Sequence, residues 1–391
     1  MSVSVSVHKI YSLTNNFPFR NSQLEARKPS AGNNLSGFRA DSSSPGISLD
    51  LALTSQCPLS CRYCTVEKVP TGELSSKQWD EIIGSLAELK TIEAISLEGG
   101  EPFSRKDLSE ILASALRHAR QVKIVTSGAF FSQVPNSLVL DPRFHFEVSL
   151  DGPAFIHNFL RDQSYPRALN FLRECLRAGI RVRFRTVISR HNLPFYESWL
   201  EELDRSFEGG REKIGFFFDT IIAPRALSGQ GGSMRRASVR DFPADFLVPS
   251  PFEIQRLFDR MKSRTFRNLQ FLQNEPVRGC RAGEIGSISF DPSGVYSFCC
   301  ESPNGIGSIL NHSPDDCLSL LDDAFQNLPC RTCPYCGNEV CLGCWTGQKC
   351  GIVRHWGFSH CREFVAAMVQ KHFPCTPKEM GGFSGSRVSG M

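Results

Sequence analysis

Sixteen cysteines, three of them packed into Cys57-Pro-Leu-Ser-Cys61-Arg-Tyr-Cys64 and twelve spread from Cys280 to Cys375, limit what this chain can fold into more than any other feature. Thiols at such spacing form disulfides in an oxidising compartment or bind metal in a reducing one. The opening MSVSVSVHKI has no apolar core after a basic stretch and no small-residue cleavage site, so it does not read as a secretory signal. No later run approaches the ~18 apolar residues of a membrane span. A soluble, cytoplasmic protein with metal-bound thiolates is expected. The 391 residues suffice for one large or two ordinary domains. Lys and Arg number 44 against 40 Asp and Glu, a balance that argues against a nucleic-acid or membrane-surface partner.

Residues 1–45 are rich in Ser and Asn, lack a sustained apolar period, and read as a flexible arm. From Ile47 apolar segments alternate with amphipathic stretches at the spacing of strand-helix units. Six strands are predicted at Ile47–Thr54, Ala94–Leu97, Val122–Thr126, Phe144–Leu150, Val182–Ile188 and Ile214–Ile222. Between them, Lys77–Leu89 and Leu108–His118 carry apolar residues three and four apart, as helices covering a sheet require. The fold class is α/β with a parallel, curved sheet over residues 46–223. A Gly- and Pro-rich linker and a bridging helix, Phe252–Leu272, fall within 224–275. A small cysteine-rich domain is expected over 276–375, opened by a hairpin around Asp291-Pro292-Ser293-Gly294, with a flexible tail over 376–391.

The triad Cys57, Cys61, Cys64 follows directly on the first predicted strand, which puts its thiolates at the carboxyl edge of the sheet, where parallel α/β folds build chemistry. Three thiolates leave one iron of a four-iron cluster open. Half of a zinc site is the alternative for the triad alone.

The CxxxCxxC loop after the first strand resembles that of the radical S-adenosylmethionine (SAM) superfamily. This resemblance implies a partial (β/α)6 barrel, a catalytic [4Fe-4S] cluster on Cys57, Cys61 and Cys64, and SAM chelated at the open iron. It puts Tyr63 beside the adenine. Gly99-Gly100-Glu101-Pro102 is similar to the family's GGEP segment, which binds the methionine amino group. Thr126-Ser127-Gly128 resembles its T-N-G turn, with Ser127 in place of Asn. Ser149-Leu150-Asp151-Gly152 and His157-Asn158-Phe159-Leu160-Arg161 resemble the S-L-D-G and H-D-x-x-R segments of peptide-modifying members, with Asn158 for Asp. Ser149 and Arg161 are thereby implied to hold the SAM carboxylate, for which an arginine fork is suited.

In the tail, Cys280 and the segment ending in Cys299 resemble the opening of a SPASM auxiliary-cluster domain, and Cys341, Cys344 and Cys350 continue its spacing, with Cys361 to close the set. The pattern departs at Arg354, where that module has another cysteine. One or two auxiliary [4Fe-4S] clusters are implied. A second cluster starting from Cys280 and Cys299 must borrow from Cys300, Cys317, Cys330, Cys333 or Cys336. A zinc ribbon of Cys333, Cys336, Cys341 and Cys344 stays open as the alternative.

The resemblance implies reductive cleavage of SAM by an external electron donor and removal of a hydrogen atom from a substrate carbon. A ribosomally made peptide, crosslinked, oxidised or epimerised, is the first expectation for the substrate. The stretch before Ile47 is short for a winged leader-binding domain, so a separate leader-recognition protein or residues 1–45 are expected to serve. A dehydrogenase or epimerase of a sugar or other small molecule is the enzymatic rival. A zinc-stabilised binding protein without catalysis is the rival of another class.

Overall fold

The computed structural model describes residues 46–64, 66, 68, 72–129, 134–207, 213–220, 249, 251–273, 286–297, 300 and 305–327. The arm 1–45, Cys280, Cys299, Cys330, Cys333, Cys336, Cys341, Cys344, Cys350, Cys361 and the tail 376–391 lie outside these residues, as does Ile221–Ile222 of the sixth predicted strand.

Seven strands run parallel in sequence order: β1 (Ile47–Thr54), β2 (Ile92–Gly99), β3 (Ala119–Thr126), β4 (Phe144–Ser149), β5 (Val182–Ile188), β6 (Ile214–Thr220) and β7 (Leu269–Phe271). The helices between and after them are α1 (Ser76–Leu89), α2 (Leu108–His118), α3 (Asn136–Val139), α4 (Ala154–Leu160), α5 (Tyr165–Arg177), α6 (Tyr196–Ser206) and α7 (Pro251–Lys262). On the far side of β1, β8 (Ser287–Phe290) pairs parallel to it. The hairpin partner β9 (Val295–Ser297) and then β10 (Gly307–Ser308) complete a ten-stranded sheet, with α8 (Pro314–Gln326) following. The predicted hairpin thus forms, and it belongs to the barrel's own sheet.

The predicted helix Phe252–Leu272 is corrected. The helix stops at Lys262, and Leu269–Phe271 is a strand against Ile214–Phe216. Asp204 decides this: its carboxylate accepts from the backbone N–H groups of Arg267, Asn268 and Leu269, and Asn268 donates to the carbonyls of Asp204 and Phe207. These bonds hold the chain extended where its local spacing also suits a helix.

The helices cover one face of the sheet. Leu49, Leu51 and Leu53 of β1 and Ile95 and Leu97 of β2 are fully buried there, with Trp79, Ile83 and Leu86 of α1 and Ile111, Leu112 and Ala115 of α2 packed over them. Ser75 and Gln78 close a capping box that starts α1, satisfying N–H groups the first turn leaves unpaired.

The other face is polar. Asp50, Ser96 and Glu98, Lys123, His145 and Glu147, Arg183 and Arg185, and Asp219 occupy alternate positions on β1 to β6, as the two-residue period of a strand requires. Asp50 on β1 and Arg185 on β5 interact electrostatically although four strand spacings of about 4.8 Å separate them along the sheet. The sheet is therefore curled, with this face as a charged lumen. At its floor Glu147, wholly buried, meets Lys123 Nζ at 3.3 Å, Arg185 Nε at 3.3 Å and Arg183 Nε at 3.5 Å. Burial alone raises the Glu147 pKa, but Lys123, Arg185 and Arg183 outweigh it and hold the carboxyl at about 2. Burial, and then the neighbouring Asp50, push Glu98 up to about 7. Of the three consecutive phenylalanines of β6, Phe216 and Phe218 join the core, whereas Phe217 faces the Arg183 and Arg185 guanidinium groups at 5.6 Å each.

Candidate active site

The sequence-predicted site residues within the described segments lie at the carboxyl ends of β1 to β4 or on the loops that follow them, except Arg161, which ends α4. The cysteine loop leaves β1 at Thr54. Its entry is tied to the turn after β2: Gly100 N donates to Thr54 O at 2.7 Å and Glu101 N to Gln56 O at 2.8 Å. Glycine is required at both positions of that turn. Gly99 has φ +118°, and a Cβ on Gly100 stands 2.2 Å from Gln56 O. The close approach that selects these glycines is to the cysteine loop's backbone. Glu73 supports the same corner, accepting from Thr54 Oγ1 at 2.7 Å and Ser55 N at 3.0 Å. Arg105 donates to Leu53 O at 2.8 Å and Leu74 O at 2.9 Å.

The far side of the loop is tied to the end of α4. Arg62 N donates to Leu160 O and Arg62 Nε to Phe159 O, both at 2.9 Å, and Ser60 N donates to Asp162 Oδ2 at 3.0 Å. Asp162 and Gln163 hold φ of 52° and 55°, left-handed conformations uncommon for such residues, at the turn that receives the loop. Cys64 N donates to Cys61 O at 3.1 Å, closing the loop on itself.

Cys57, Cys61 and Cys64 are each partly buried and free of disulfides. Burial raises the Cys57 thiol pKa and pushes Cys61 up to about 12, the latter opposed by the Arg161 guanidinium. Cys64 also raises the Cys57 pKa, and Cys64 and Cys57 that of Cys61, so these thiols sense one another across the loop. Metal binding exchanges thiol protons for a cation and so relieves both penalties.

Glu101, 1% exposed, bridges two loops. It accepts from Thr126 Oγ1 at 2.8 Å, from Ser127 N at 2.9 Å and from Ser127 Oγ. Burial raises its pKa against those hydrogen bonds. Pro102 is buried and opens a single 3₁₀ turn. Gly128, at φ +74°, ends the Thr126-Ser127 turn beside α5. Ser149 is buried as the last residue of β4.

Tyr63 and Arg161 meet through Asp151. Both the Tyr63 hydroxyl and Arg161 Nε donate to Asp151 Oδ2, and the guanidinium lies 5.2 Å from the Tyr63 ring centre. Asp151 is wholly buried. Its other oxygen accepts from Val187 N at 2.9 Å, and its carbonyl from Asn192 Nδ2 at 3.0 Å. Its N–H donates to His157 Nδ1 at 3.1 Å. His157 Nε2 meets Ser164 Oγ at 2.9 Å, so the imidazole is neutral, and burial drives its pKa to about 3. Asn158, which stands where the resembling motif has Asp, accepts from Tyr165 N at 3.0 Å and caps α5. Asp151 and His157 belong to this site although the motif resemblance assigns neither of them a role. The signal was their place in the S-L-D-G and H-N-x-x-R segments.

The donor set suits an iron-sulfur cluster with SAM. Three soft thiols share one loop, glycine backbone faces it, and a buried arginine supplies positive charge beside Cys61. Cys57, Cys61 and Cys64 would hold the cluster. The loops carrying Tyr63, Gly99 to Pro102, Ser127, Ser149 and Arg161 would surround the nucleoside and amino-acid parts of SAM.

Comparison with known proteins agrees with this geometry. Residues 51–205 match the family model for the radical SAM superfamily. A PqqA peptide cyclase of Granulibacter bethesdensis is 37% identical over 92 residues, 23% of this chain and 24% of that protein. Mycofactocin maturase MftC of Mycobacterium ulcerans is 30% identical over 165 residues, 41% of this chain and 44% of that protein. The chain thus spans less than half the length of these relatives. The crystal structure of Streptococcus suis SuiB bound to S-adenosylmethionine shares the fold with a TM-score of 0.57, at 15% identity, over 78% of this chain and 74% of that one. With the cysteine loop on β1, the glycine turn on β2 and the parallel strand order in agreement, residues 51–205 of this chain form a radical SAM superfamily domain.

Proposed function

We propose that the protein matures a peptide: it cleaves SAM reductively and takes a hydrogen atom from a carbon of a ribosomally made precursor. The observation that carries this reading is the cysteine loop, pinned on one side by the β2 turn and on the other by α4, with three thiols on that one loop and the Arg161 guanidinium acting on Cys61. The cluster and SAM, when bound, supply the radical chemistry. The protein contributes binding, orientation and exclusion of water.

Each residue has a distinct part. Cys57, Cys61 and Cys64 would hold the cluster's iron as thiolates. Glu101, fixed by Thr126 and Ser127, offers carboxylate charge to an ammonium group. Ser149 and Arg161 offer a hydroxyl and a guanidinium to a carboxylate. The apolar side of Tyr63 presents a ring face to the adenine. Support for a peptide substrate comes from the similarity to proteins named peptide cyclase and maturase and from the S-L-D-G segment at Ser149–Gly152. Auxiliary clusters on Cys341, Cys344, Cys350 and Cys361, with Cys280 and Cys299 opening a second set, an external electron donor and a leader-recognition partner are part of the same proposal.

The test is anaerobic reconstitution with iron and sulfide counted per chain, then reduction with SAM and assay for 5′-deoxyadenosine. About four irons per cubane are expected, so about eight or twelve per chain place one or two clusters beyond the triad. Cys61→Ala is expected to lose about four irons and all 5′-deoxyadenosine. Bound zinc without SAM cleavage in the wild type overturns the reading.

A further inference from the structure

Asp151 occupies a position that SAM binding and cluster ligation leave unassigned. It is wholly buried, yet its two carboxylate oxygens do different things. Among the described residues Oδ1 accepts from Val187 N alone, a backbone bond that ties the end of β4 to β5. Oδ2 accepts from two side chains of separate loops: the Tyr63 hydroxyl, 88 residues away in sequence, and Arg161 Nε at the end of α4. Around it, Asn192 Nδ2 and His157 Nδ1 hold the Asp151 backbone on both sides, so the carboxylate itself has little freedom.

The consequence is geometric. Tyr63 sits between Cys61 and Cys64, and Arg161 is the cation facing the Cys61 thiol. One oxygen atom therefore fixes the ring of the cysteine loop and the Arg161 guanidinium relative to one another. Without it, a guanidinium whose side chain is only 11% exposed loses its counter-ion, and a phenol loses its acceptor.

We infer that Asp151 is the positioning residue of this site: through Oδ2 it sets the placement of Tyr63 and Arg161 toward the cluster and SAM, and through Oδ1 it only braces the sheet. The inference rests on the proposed use of SAM at the triad.

Because the two oxygens are used separately, Asp151→Asn divides the roles. The amide oxygen still accepts from Val187 N, whereas the amide NH2 cannot accept from Arg161 Nε–H and meets the Tyr63 hydroxyl only if that hydroxyl turns to become the acceptor. The expected result for reconstituted Asp151→Asn is a rise of about tenfold to a hundredfold in the KM for SAM, as expected for losing hydrogen bonds to a charged group. An altered or missing SAM-induced change in the EPR spectrum of the reduced cluster should accompany it, while the melting temperature of the metal-free chain stays within a few degrees of wild type. Combining Asp151→Asn with Tyr63→Phe should add little to the effect of Asp151→Asn alone, since the Tyr63 hydroxyl acts through the same carboxylate oxygen.

An unchanged KM and EPR response in Asp151→Asn, or a double variant whose effects multiply, overturns the inference. If Asp151→Asn lowers the metal-free melting temperature by more than about ten degrees, Tyr63→Phe carries the test. It removes one Oδ2 bond and keeps the ring, and is expected to raise the SAM KM about threefold with melting unchanged; no rise overturns the inference. A wild type that cleaves no SAM overturns the proposed function instead, so the two failures are told apart.

Discussion

Glu147→Gln is the sharpest test of how the lumen is held together. The carboxylate is wholly buried on β4 and faces Lys123, Arg183 and Arg185 within 3.3 to 3.5 Å. Its pKa falls from 4.5 to about 2 although burial works the other way. That depression corresponds to roughly 3 kcal/mol of folding stability at neutral pH, at about 1.4 kcal/mol per unit. Removing one partner of a buried ion cluster costs about 3–5 kcal/mol in general, because the remaining charges stay desolvated. Asp219, 3.3 Å from Arg185 Nη2, offsets part of that loss. A loss of about 3 kcal/mol at pH 7 is therefore expected, or about 4 °C in Tm for a chain of 391 residues at about 2.1 cal/mol/K per residue.

The pH dependence makes the cause visible. A carboxyl with a lowered native pKa contributes fully above its unfolded value of 4.5 and loses that contribution as pH falls toward 2. The gap between wild type and Glu147→Gln should therefore narrow from about 3 kcal/mol at pH 7 to about 1 kcal/mol at pH 3. Urea unfolding of the metal-free chain, followed by circular dichroism at both pH values, measures it. Glu93→Gln is the control, since Glu93 is 44% exposed and only 3.7 Å from an exposed Arg120, and a loss under about 0.5 kcal/mol is expected there. A loss below about 1 kcal/mol for Glu147→Gln, or a gap that does not change with pH, refutes the reasoning.

Three further outcomes follow from the same geometry. Glu98, pushed up to about 7 by burial and then by Asp50, binds more protons folded than unfolded between pH 4.5 and 7. Its charge therefore costs stability as pH rises, and Glu98→Gln should stabilise the chain by about 1–3 kcal/mol at pH 8 and by almost nothing at pH 4.5, read from melting curves. Gly100→Ala puts a Cβ 2.2 Å from Gln56 O and should destabilise the metal-free chain by about 2–4 kcal/mol, with iron uptake by the triad falling in reconstitution; a variant that melts and loads as wild type contradicts the contact. Arg105, 8% exposed, serves two carbonyls and Asp107 at once, so Arg105→Lys should cost about 2 kcal/mol by the same melts, because a single ammonium cannot reproduce the fork.

The parts of the fold that were legible are those where local pattern and tertiary role coincide. β1 and β5 fall on their predicted residues because Leu49, Leu51 and Leu53, and Phe184 and Ile188, alternate with polar neighbours. α2 matches Leu108–His118 because its apolar stripe is bounded by Asp107 and by the extended Ala119. β7 was not legible. Phe258, Met261, Phe266 and Leu269 keep a spacing that a helix accepts, and only the distant Asp204 carboxylate makes the end of that run a strand. The candidate site shows the same division. The triad and the Gly99–Pro102 turn are local words, readable wherever they occur. The role of Asp151 depends on Tyr63 and Val187, neither of which is near it in the chain.

β4 shows why stability and chemistry sit so close together here. Its inward positions place Glu147 at the charged floor and Ser149 at the rim, two residues apart, and Asp151 follows in the loop. The Cα register pairs Glu147 with Arg183 and Ser149 with Arg185, while Val187 N, two residues further along β5, reaches Asp151. One pair of strands therefore carries both an ion cluster worth kilocalories and the anchor of Tyr63 and Arg161. A substitution at the floor that lets β4 shift along β5 must also move the anchor, and activity lost in such a variant says nothing about chemistry at position 147. Glu147→Gln keeps the side chain's length and shape, so it alters charge without altering register. For that reason it should lower stability while leaving the KM for SAM nearly unchanged, the reverse of what is expected for Asp151→Asn. A pair of variants two turns of the pleat apart, moving opposite observables, separates the floor from the rim in a way that neither variant does alone.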